Sequence, residues 1–351
     1  MDRKEAQSLR ELLIIRQENR AKLDAVNQNL GSALGFKYTN GQRTNHPCII
    51  VFVPEKIEPA LVPGSQIIPK QLEAEIDGEV VFCRTDVVRG GKAASEKDAP
   101  PIDADNFRIV EELRKGRIGL TGGVQLGGFD ELGRGYVGTT SCPIQTADGK
   151  IHLLTNQHVA GSLGRPIYHP RPGQYAIGRT SQAIEYVTDE AHFQGIIDEK
   201  DALVRVDCAI VSLDGNAQER VKPGLHELGA LGEVVPIDLG TMDVIGTEVV
   251  SIGRTRGIQT GVIAAYCYEW LDDDRWSVYT DFLIIGDEPG GAFSDHGDSG
   301  KLIATKDGLR PLALLWGGWQ ERLRTGYEQE NWTYAIDLAK VLGYLDIGIY
   351  R

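Results

Sequence analysis

Three short segments of the 351-residue sequence carry side chains that together could perform nucleophilic chemistry. LTNQHVAG places His158 just past an apolar stretch, VRVDCAIVSL places Asp207 inside a β-branched run, and GDSGKLI places Ser299 in a turn. A serine hydroxyl is a weak nucleophile until an imidazole accepts its proton, and a carboxylate on the second ring nitrogen fixes the tautomer. We therefore interpret His158, Asp207 and Ser299 as a catalytic triad.

The glycines around Ser299 indicate an oxyanion hole. They allow a tight turn in which the backbone N–H groups of Gly297 and Ser299 face one point. One well-aimed donor stabilises a developing oxyanion by roughly 3–4 kcal/mol. We expect Gly297 and Ser299 to supply these two donors.

The carboxylate of the triad has competitors in the sequence. Asp189 and Asp201 also lie between the histidine and the serine. We favour Asp207 because apolar residues flank it on both sides, where a carboxylate needs a partner. The chain order His, Asp, Ser is that of the chymotrypsin fold and differs from the orders in subtilisin and the α/β-hydrolases.

Composition excludes several other classes of function. The 37 basic and 50 acidic residues give a net charge of −13, so we expect no nucleic acid partner. The longest apolar run, Val262 to Tyr268, is far short of the roughly 20 residues that span a membrane. We expect no membrane partner, and the charged start of the chain shows no secretory signal.

The five cysteines are an odd set without a Cys-x-x-Cys pair, which disfavours disulfides and zinc. We interpret them as reduced thiols of a cytoplasmic protein, mostly small buried hydrophobes. The triad chemistry requires no metal and no cofactor, and we predict neither.

The pattern of elements predicts a mainly β fold. Residues 3–30 have the apolar spacing of a helix, residues 36–88 alternate as strands, and residues 89–106 read as a linker. From about residue 116 onward, short strands follow regular turn signals until a final helix with four leucine or valine residues on one face. We divide the chain into residues 1–106 (helix, small β domain and linker) and residues 107–351.

Residues 116–351 resemble the trypsin/chymotrypsin-like serine peptidases through these three motifs. Nearly the whole chain is similar to the plant narrow-leaf-one type of peptidase and its bacterial relatives. That similarity rests on IIVFVPEK, TDVV, GRTRGIQTGVIAAY and ENWT. The resemblance implies two six-stranded-type β-barrels, a serine endopeptidase that acts on protein or peptide substrates, the triad already named, and homo-oligomerisation.

The resemblance also assigns substrate-binding positions. Trp316 and Gly317, in LLWGGW, match a strand that pairs with an extended peptide and lines the specificity pocket. Phe293 matches the base of that pocket, where enzymes of basic specificity carry an acid, so we expect small or apolar side chains at the cleavage position. In secreted relatives the residue matching Asp298 pairs with a new N-terminus. Here either another cation holds Asp298 or the site is built without activation, and Lys301 stands where many relatives have glycine.

Other readings compete with these. A catalytically silent pseudo-protease that binds peptides is the main alternative, and an esterase or acyltransferase is a weaker one. The segment GRGYVG fits a dinucleotide-binding pattern but leads into a strand, so we interpret it as a β turn. Asp272 to Asp274 reads as a solvated loop, and His296 as a wall of the pocket.

Overall fold

The computed structural model describes residues 3–26, 29–40, 42–90, 93–94, 104–116, 118–188, 192–193, 195–197, 202–271, 276–287, 292–319 and 332–351. Its strands are β1 (Arg3–Glu5), β2 (Gly31–Thr39), β3 (Gln42–Val53), β4 (Gln71–Ile76), β5 (Glu79–Arg89), β6 (Ala93–Ala94), β7 (Leu120–Gly122), β8 (Gln125–Phe129), β9 (Gly135–Thr139), β10 (Pro143–Thr146), β11 (Ile151–Thr155), β12 (Pro166–Tyr168), β13 (Ala176–Thr188), β14 (Ala202–Leu213), β15 (Val221–Leu225), β16 (Glu248–Gly253), β17 (Gly257–Leu271), β18 (Ser277–Gly286), β19 (Leu302–Thr305), β20 (Pro311–Trp319), β21 (Thr333–Asp337) and β22 (Ile347–Ile349). Its helices are α1 (Leu9–Glu18), α2 (Arg20–Asp24), α3 (Ala104–Leu113), α4 (Gln157–Ala160), α5 (Gly215–Gln218) and α6 (Leu338–Leu345).

The first barrel closes through six strand positions. β9 bends at residues 140–142 and continues as β10, so that one chain segment pairs with β8 on one side and β11 on the other. β11 pairs with β14, β14 with β13, β13 with β12, and β12 returns to β8 through Tyr168 and Gly127. Closure leaves no exposed edge, and the inward side chains form a small apolar core.

The second barrel closes in the same manner, in the order β16, β17, β18, β21, β20, β19 and back to β16. β22 pairs with β10, and β14 pairs with β18, so strands also join the two barrels. The mainly β prediction with two six-stranded barrels is confirmed.

The N-terminal part packs on the second barrel rather than standing apart. β4, β5, β3 and β2 form one sheet, and β2 pairs with β17 of the second barrel. α1 lies on this sheet and buries Leu9, Leu12, Leu13 and Ile15. The predicted helix over residues 3–30 was too long. Its start pairs as β1, and it breaks at Asn19, whose side chain donates to the Ile15 carbonyl and competes with the helical backbone.

The predicted linker contains an element that the sequence reading missed. α3 begins inside it and buries Ile109, Val110 and Leu113, while Asn106 accepts a hydrogen bond from the Ile258 N–H at 2.7 Å. These three apolar residues span little more than one helical turn, which is too short a stretch to establish a helical periodicity from sequence. The division of the chain at residue 106 stays a prediction.

Several local predictions are confirmed by the backbone. Asp77-Gly78, Asp148-Gly149 and Asp307-Gly308 each lie between two antiparallel strands. The segment GRGYVG forms a turn and β9, as expected of a β hairpin. α6 buries the four residues predicted for its apolar face, Leu338, Val341, Leu342 and Leu345. Among the described helices, none is long and apolar enough to cross a membrane.

Candidate active site

Asp207 lies on an irregularity of β14. The register between β13 and β14 shifts between Ile184 and Tyr186, which inserts an extra residue in β14 just before Cys208. Asp207 has φ +43°, a strained value for a residue other than glycine. A β-bulge bends the strand and redirects a side chain, and such bulges occur next to active sites. Here the bulge accompanies a fully buried carboxylate that reaches His158.

His158 is held by Asp207 through both its ring and its backbone. It lies in α4, the short helix that follows β11. Its Nδ1 is 2.7 Å from Asp207 Oδ2, and its backbone N–H donates to Asp207 Oδ1 at 3.1 Å. Asn156, at the start of α4, donates its side-chain amide to the Asp207 carbonyl at 2.7 Å. The imidazole is 40% exposed, and its Nε2 has no hydrogen-bond partner among the described residues.

His158 and Arg205 stabilise the charge on Asp207. Burial alone would raise the pKa of this carboxyl group, but His158 and Arg205 outweigh burial and hold the pKa below its usual value. Arg205 Nη2 lies 3.3 Å from Asp207 Oδ2, and its guanidinium stacks 4.4 Å above the Trp316 ring. The sequence reading did not identify Arg205, although its place two residues before Asp207 on a strand puts both side chains on one face.

Thr139 of the first barrel donates two hydrogen bonds to the Ser299 turn of the second barrel. The Thr139 N–H donates to the Ser299 carbonyl at 2.9 Å, and its hydroxyl donates to the Gly297 carbonyl at 2.8 Å. Thr155, at the end of β11, donates its hydroxyl to the Thr139 carbonyl at 2.8 Å. This chain of bonds brings the Ser299 turn beside the strand that leads into His158. The sequence reading missed Thr139.

Two glycines of the turn have positive φ and leave no room for a side chain. Gly297 and Gly300 both have φ +95°. A Cβ on Gly300 would collide with Thr139 and Thr155, and one on Gly297 would lie 2.7 Å from the Arg254 guanidinium. In the described part of the chain, the N–H groups of Gly297 and Ser299 have no protein acceptor. These two donors can therefore serve as an oxyanion hole.

Asp298, between the two oxyanion donors, is fully buried and fully partnered. Its Oδ1 accepts the N–H of Thr255 at 2.9 Å and of Arg256 at 3.3 Å, and its Oδ2 accepts the N–H of Asp295 at 3.1 Å. Lys301 Nζ lies 3.7 Å from Oδ2. Of the two sequence-based alternatives, an internal cation at Asp298 is the one found.

The described residues contain no hydrogen bond between the Ser299 hydroxyl and His158. Such bonds are often long before substrate binds and shorten in the complex. The competing carboxylates Asp189 and Asp201 lie outside the described residues, as does the Asp272 to Asp274 loop.

The substrate-binding positions differ in where their side chains lie. A cavity of about 20 Å³ adjoins Ser299 and is lined by Ser294, Asp295, His296, Ser299, Leu315, Gly317 and Gly318. Gly317 and His296 are thus part of its wall. The Phe293 ring does not line the cavity. It is fully buried in the main core, where it fills the space that Gly261 leaves open. The Trp316 ring is also buried, and its indole N–H donates to Thr280 at 2.9 Å.

The strand that lines this cavity has a neighbour from the N-terminal part of the chain. β6 pairs antiparallel with β20, Ala94 opposite Gly318 and Ala93 opposite Trp319. An extended peptide laid along β20 from Ser299 would meet β6 just past Gly317. Sequence reasoning treated residues 93–94 as linker and gave no sign of this pairing.

One cluster of metal-ligand types occurs in the described residues. Glu112, His226 and Glu227 bring ligand atoms within 4.8 Å of one another. Arg108 lies 2.7 Å from Glu112 and 3.5 Å from Glu227, so a guanidinium already neutralises both carboxylates. The cluster is explained as an ion-pair network at the end of α3.

Comparisons with known proteins cover almost the whole chain. A model of the Nal1 C-terminal domain matches residues 106–351, and a model of the NARROW LEAF 1 N-terminal domain matches residues 4–88. The protein NARROW LEAF 1 of Oryza sativa subsp. japonica is 30% identical over an alignment 368 positions long, which covers 98% of this chain and 61% of the rice protein. The chain thus spans about three fifths of that relative's length.

Solved serine protease structures are similar to about two thirds of the chain. The Nocardiopsis protease NAPase is 16% identical, with a TM-score of 0.43, and the match covers 66% of this chain and 99% of that one. A glutamic acid specific serine protease is 15% identical, with a TM-score of 0.45, over 66% of this chain and 100% of that one.

Proposed function

The chain belongs to the NARROW LEAF 1 family, and we propose that it is a serine endopeptidase with His158, Asp207 and Ser299 as its triad. The observation that carries the proposal is the 2.7 Å contact between His158 Nδ1 and the buried Asp207 carboxylate. A partly exposed histidine oriented in this way is suited to accept a proton from a serine.

The proposed reaction uses the geometry already described. Ser299 Oγ attacks the carbonyl carbon of a peptide bond while His158 Nε2 accepts the hydroxyl proton. The carbonyl electron pair moves to oxygen, where the N–H groups of Gly297 and Ser299 stabilise it. His158 then returns the proton to the leaving nitrogen, the C–N bond breaks, and water repeats the sequence on the acyl-enzyme.

We propose a protein or peptide substrate with a small side chain at the cleavage position. The edge of β20 up to Gly317 offers backbone groups to an extended chain, a feature that an esterase does not require. The cavity beside Ser299 is about 20 Å³, which is room for about one water molecule, so it would have to widen to take a lysine or arginine side chain. The predicted preference for small side chains therefore has a different basis from the buried Phe293.

Cytoplasmic location and homo-oligomerisation belong to the same proposal. All five cysteines are buried and free, which supports a reducing compartment.

A catalytically silent peptide-binding module remains the second candidate, favoured by the missing Ser299–His158 hydrogen bond and by β6 on the edge of β20. An unfolded protein such as reduced casein, incubated with the purified chain, separates the two. We expect new peptides produced by cleavage after glycine, alanine or serine, and no new peptides with Ser299→Ala. Binding of casein without new termini would support the second candidate, and cleavage after arginine or lysine would contradict the proposed specificity.

A further inference from the structure

The buried ion pair beside the nucleophile bears on how the active site is assembled. Asp298 lies between Gly297 and Ser299, whose N–H groups form the proposed oxyanion hole. Its carboxylate accepts three backbone N–H groups, two from residues 255–256 and one from residue 295. The position of this one side chain therefore fixes the path of the whole turn.

Lys301 supplies the compensating charge from within the same turn. Its side chain is fully buried, and its Nζ lies 3.7 Å from Asp298 Oδ2. The ammonium group also donates to the Phe293 carbonyl at 2.7 Å and lies 4.5 Å above the centre of the Phe293 ring. A buried carboxylate without a cation is strongly disfavoured. Asp298 can therefore hold the turn in this position only with Lys301 beside it.

The surroundings of the pair are shaped for it. A Cβ on Gly253 would collide with the Asp298 carboxylate and lie 3.1 Å from Lys301 Cδ. Among the described cations, Lys301 alone reaches within 4 Å of Asp298. The nearby Arg254 directs its guanidinium to Gln125 and Thr255 instead.

We propose that Lys301 is a positioning residue that holds the oxyanion hole in its reactive form in the uncleaved chain. In secreted relatives, as the sequence resemblance implies, the matching acid is held by an N-terminus that proteolysis releases. Here the cation is part of the chain three residues after Asp298, so no cleavage is required. The proposal rests on the proposed function, because it concerns the reactivity of Ser299.

The test is the rate at which a fluorophosphonate reacts with Ser299, per folded molecule, in the full-length uncleaved chain. Lys301→Met keeps the volume and removes the charge. We expect the rate to fall about 100-fold, as when one oxyanion donor is lost. The rate of Lys301→Gln, which keeps a donor for the Phe293 carbonyl, should fall by a comparable factor. This variant replaces Lys301→Met in the test if the methionine variant does not fold. Lys306→Met, on an exposed lysine beyond β19, should react like the wild type.

Chemical rescue distinguishes positioning from simple stabilisation. In Lys301→Ala, propylammonium replaces the missing atoms and charge and should restore much of the rate, whereas 1-propanol should not. A folded Lys301→Met that reacts at the wild-type rate would overturn the inference. So would a wild type that reacts only after proteolysis, although the proposed function would then stand. A wild type that is inert both before and after proteolysis would overturn the proposed function itself.

Discussion

Asp207 is the residue whose environment most constrains the proposed chemistry. It is buried, it bonds both the ring and the backbone of His158, and Arg205 lowers its pKa further. Because its pKa lies below the ordinary value, the carboxylate stays ionised at neutral pH. It can then hold the histidine tautomer whose Nε2 is free to accept a proton.

Asp207→Asn should therefore lower the turnover of peptide hydrolysis by about 10⁴ while the fold persists, since an amide favours the wrong tautomer. The exposed Asp214→Asn, seven residues later, is the matched control and should keep full activity. Turnover and circular dichroism of both variants check this. Full turnover in Asp207→Asn would move the role to another carboxylate, such as Asp201.

At the scale of elements, α6 begins at Asp337, a buried acid whose pKa is raised. Asp337 caps the helix by accepting the Ala339 N–H at 2.8 Å. Burial and the neighbouring Asp281 raise the pKa of Asp337 to about 7, while His192 and Lys340 hold the pKa of Asp281, against the effect of burial, at about 2. A folded-state pKa above the unfolded value of about 3.9 means that Asp337 costs stability as pH rises from about 4 to about 7.

Asp337→Asn should remove that cost and still cap α6, because asparagine is as good an N-cap as aspartate. The melting temperature of the variant should exceed that of the wild type by more at pH 8 than at pH 5. Thermal unfolding at the two pH values measures this, with the exposed Asp243→Asn as control. A constant difference would show that Asp337 is ionised in the folded chain at both pH values.

A second element, β6, pairs with the edge of β20 that the proposed peptide substrate would use. Its pairing at Gly318 and Trp319 must be exchanged when a peptide extends past Gly317. Prolines at both positions of β6 remove its N–H donors and should weaken its pairing by about 1–2 kcal/mol. We expect KM for long peptides to fall about 5- to 30-fold, with kcat and short substrates unchanged.

Steady-state kinetics with a short and a long peptide would measure this effect. Serines at the same two positions keep the backbone pairing and are the matched control. An equal change for both peptide lengths would mean that β6 acts elsewhere than on the substrate edge.

The elements also show what the sequence could and could not predict. His158, Asp207 and Ser299 could be proposed as a triad from the sequence because the chemistry requires these residue types and the chain order matches a known arrangement. The role of Lys301 was not, because it depends on burial beside Gly253, two strands away in sequence. Phe293 was predicted at the base of the specificity pocket, but its ring does not line the cavity beside Ser299, because the direction of the side chain depends on the space left at Gly261.

At the scale of the whole molecule, a buried arginine joins the N-terminal part to the second barrel. Arg16 of α1 is fully buried, donates to the Cys267 carbonyl at 2.5 Å, and lies 3.5 Å from Glu269. Together with the pairing of β2 and β17, it makes the N-terminal sheet and the barrel one packed unit.

Arg16→Met should lower the free energy of unfolding by about 3 kcal/mol, because it leaves Glu269 with fewer partners in a buried place. Unfolding should remain a single transition, measured by calorimetry. The exposed Arg10→Met on the same helix should change little. Two separate transitions, of which only one moves, would show that the N-terminal part unfolds independently of the barrel.

We propose that this chain carries an assembled serine nucleophile in its uncleaved form. The most direct measurement is mass spectrometry of the full-length protein after treatment with a fluorophosphonate, followed by mapping of the modified residue. We expect one adduct, on Ser299, absent in Ser299→Ala and nearly absent in His158→Ala. A folded, full-length protein that forms no adduct, or forms it equally without His158, would show that Ser299 is not an activated nucleophile in the uncleaved chain.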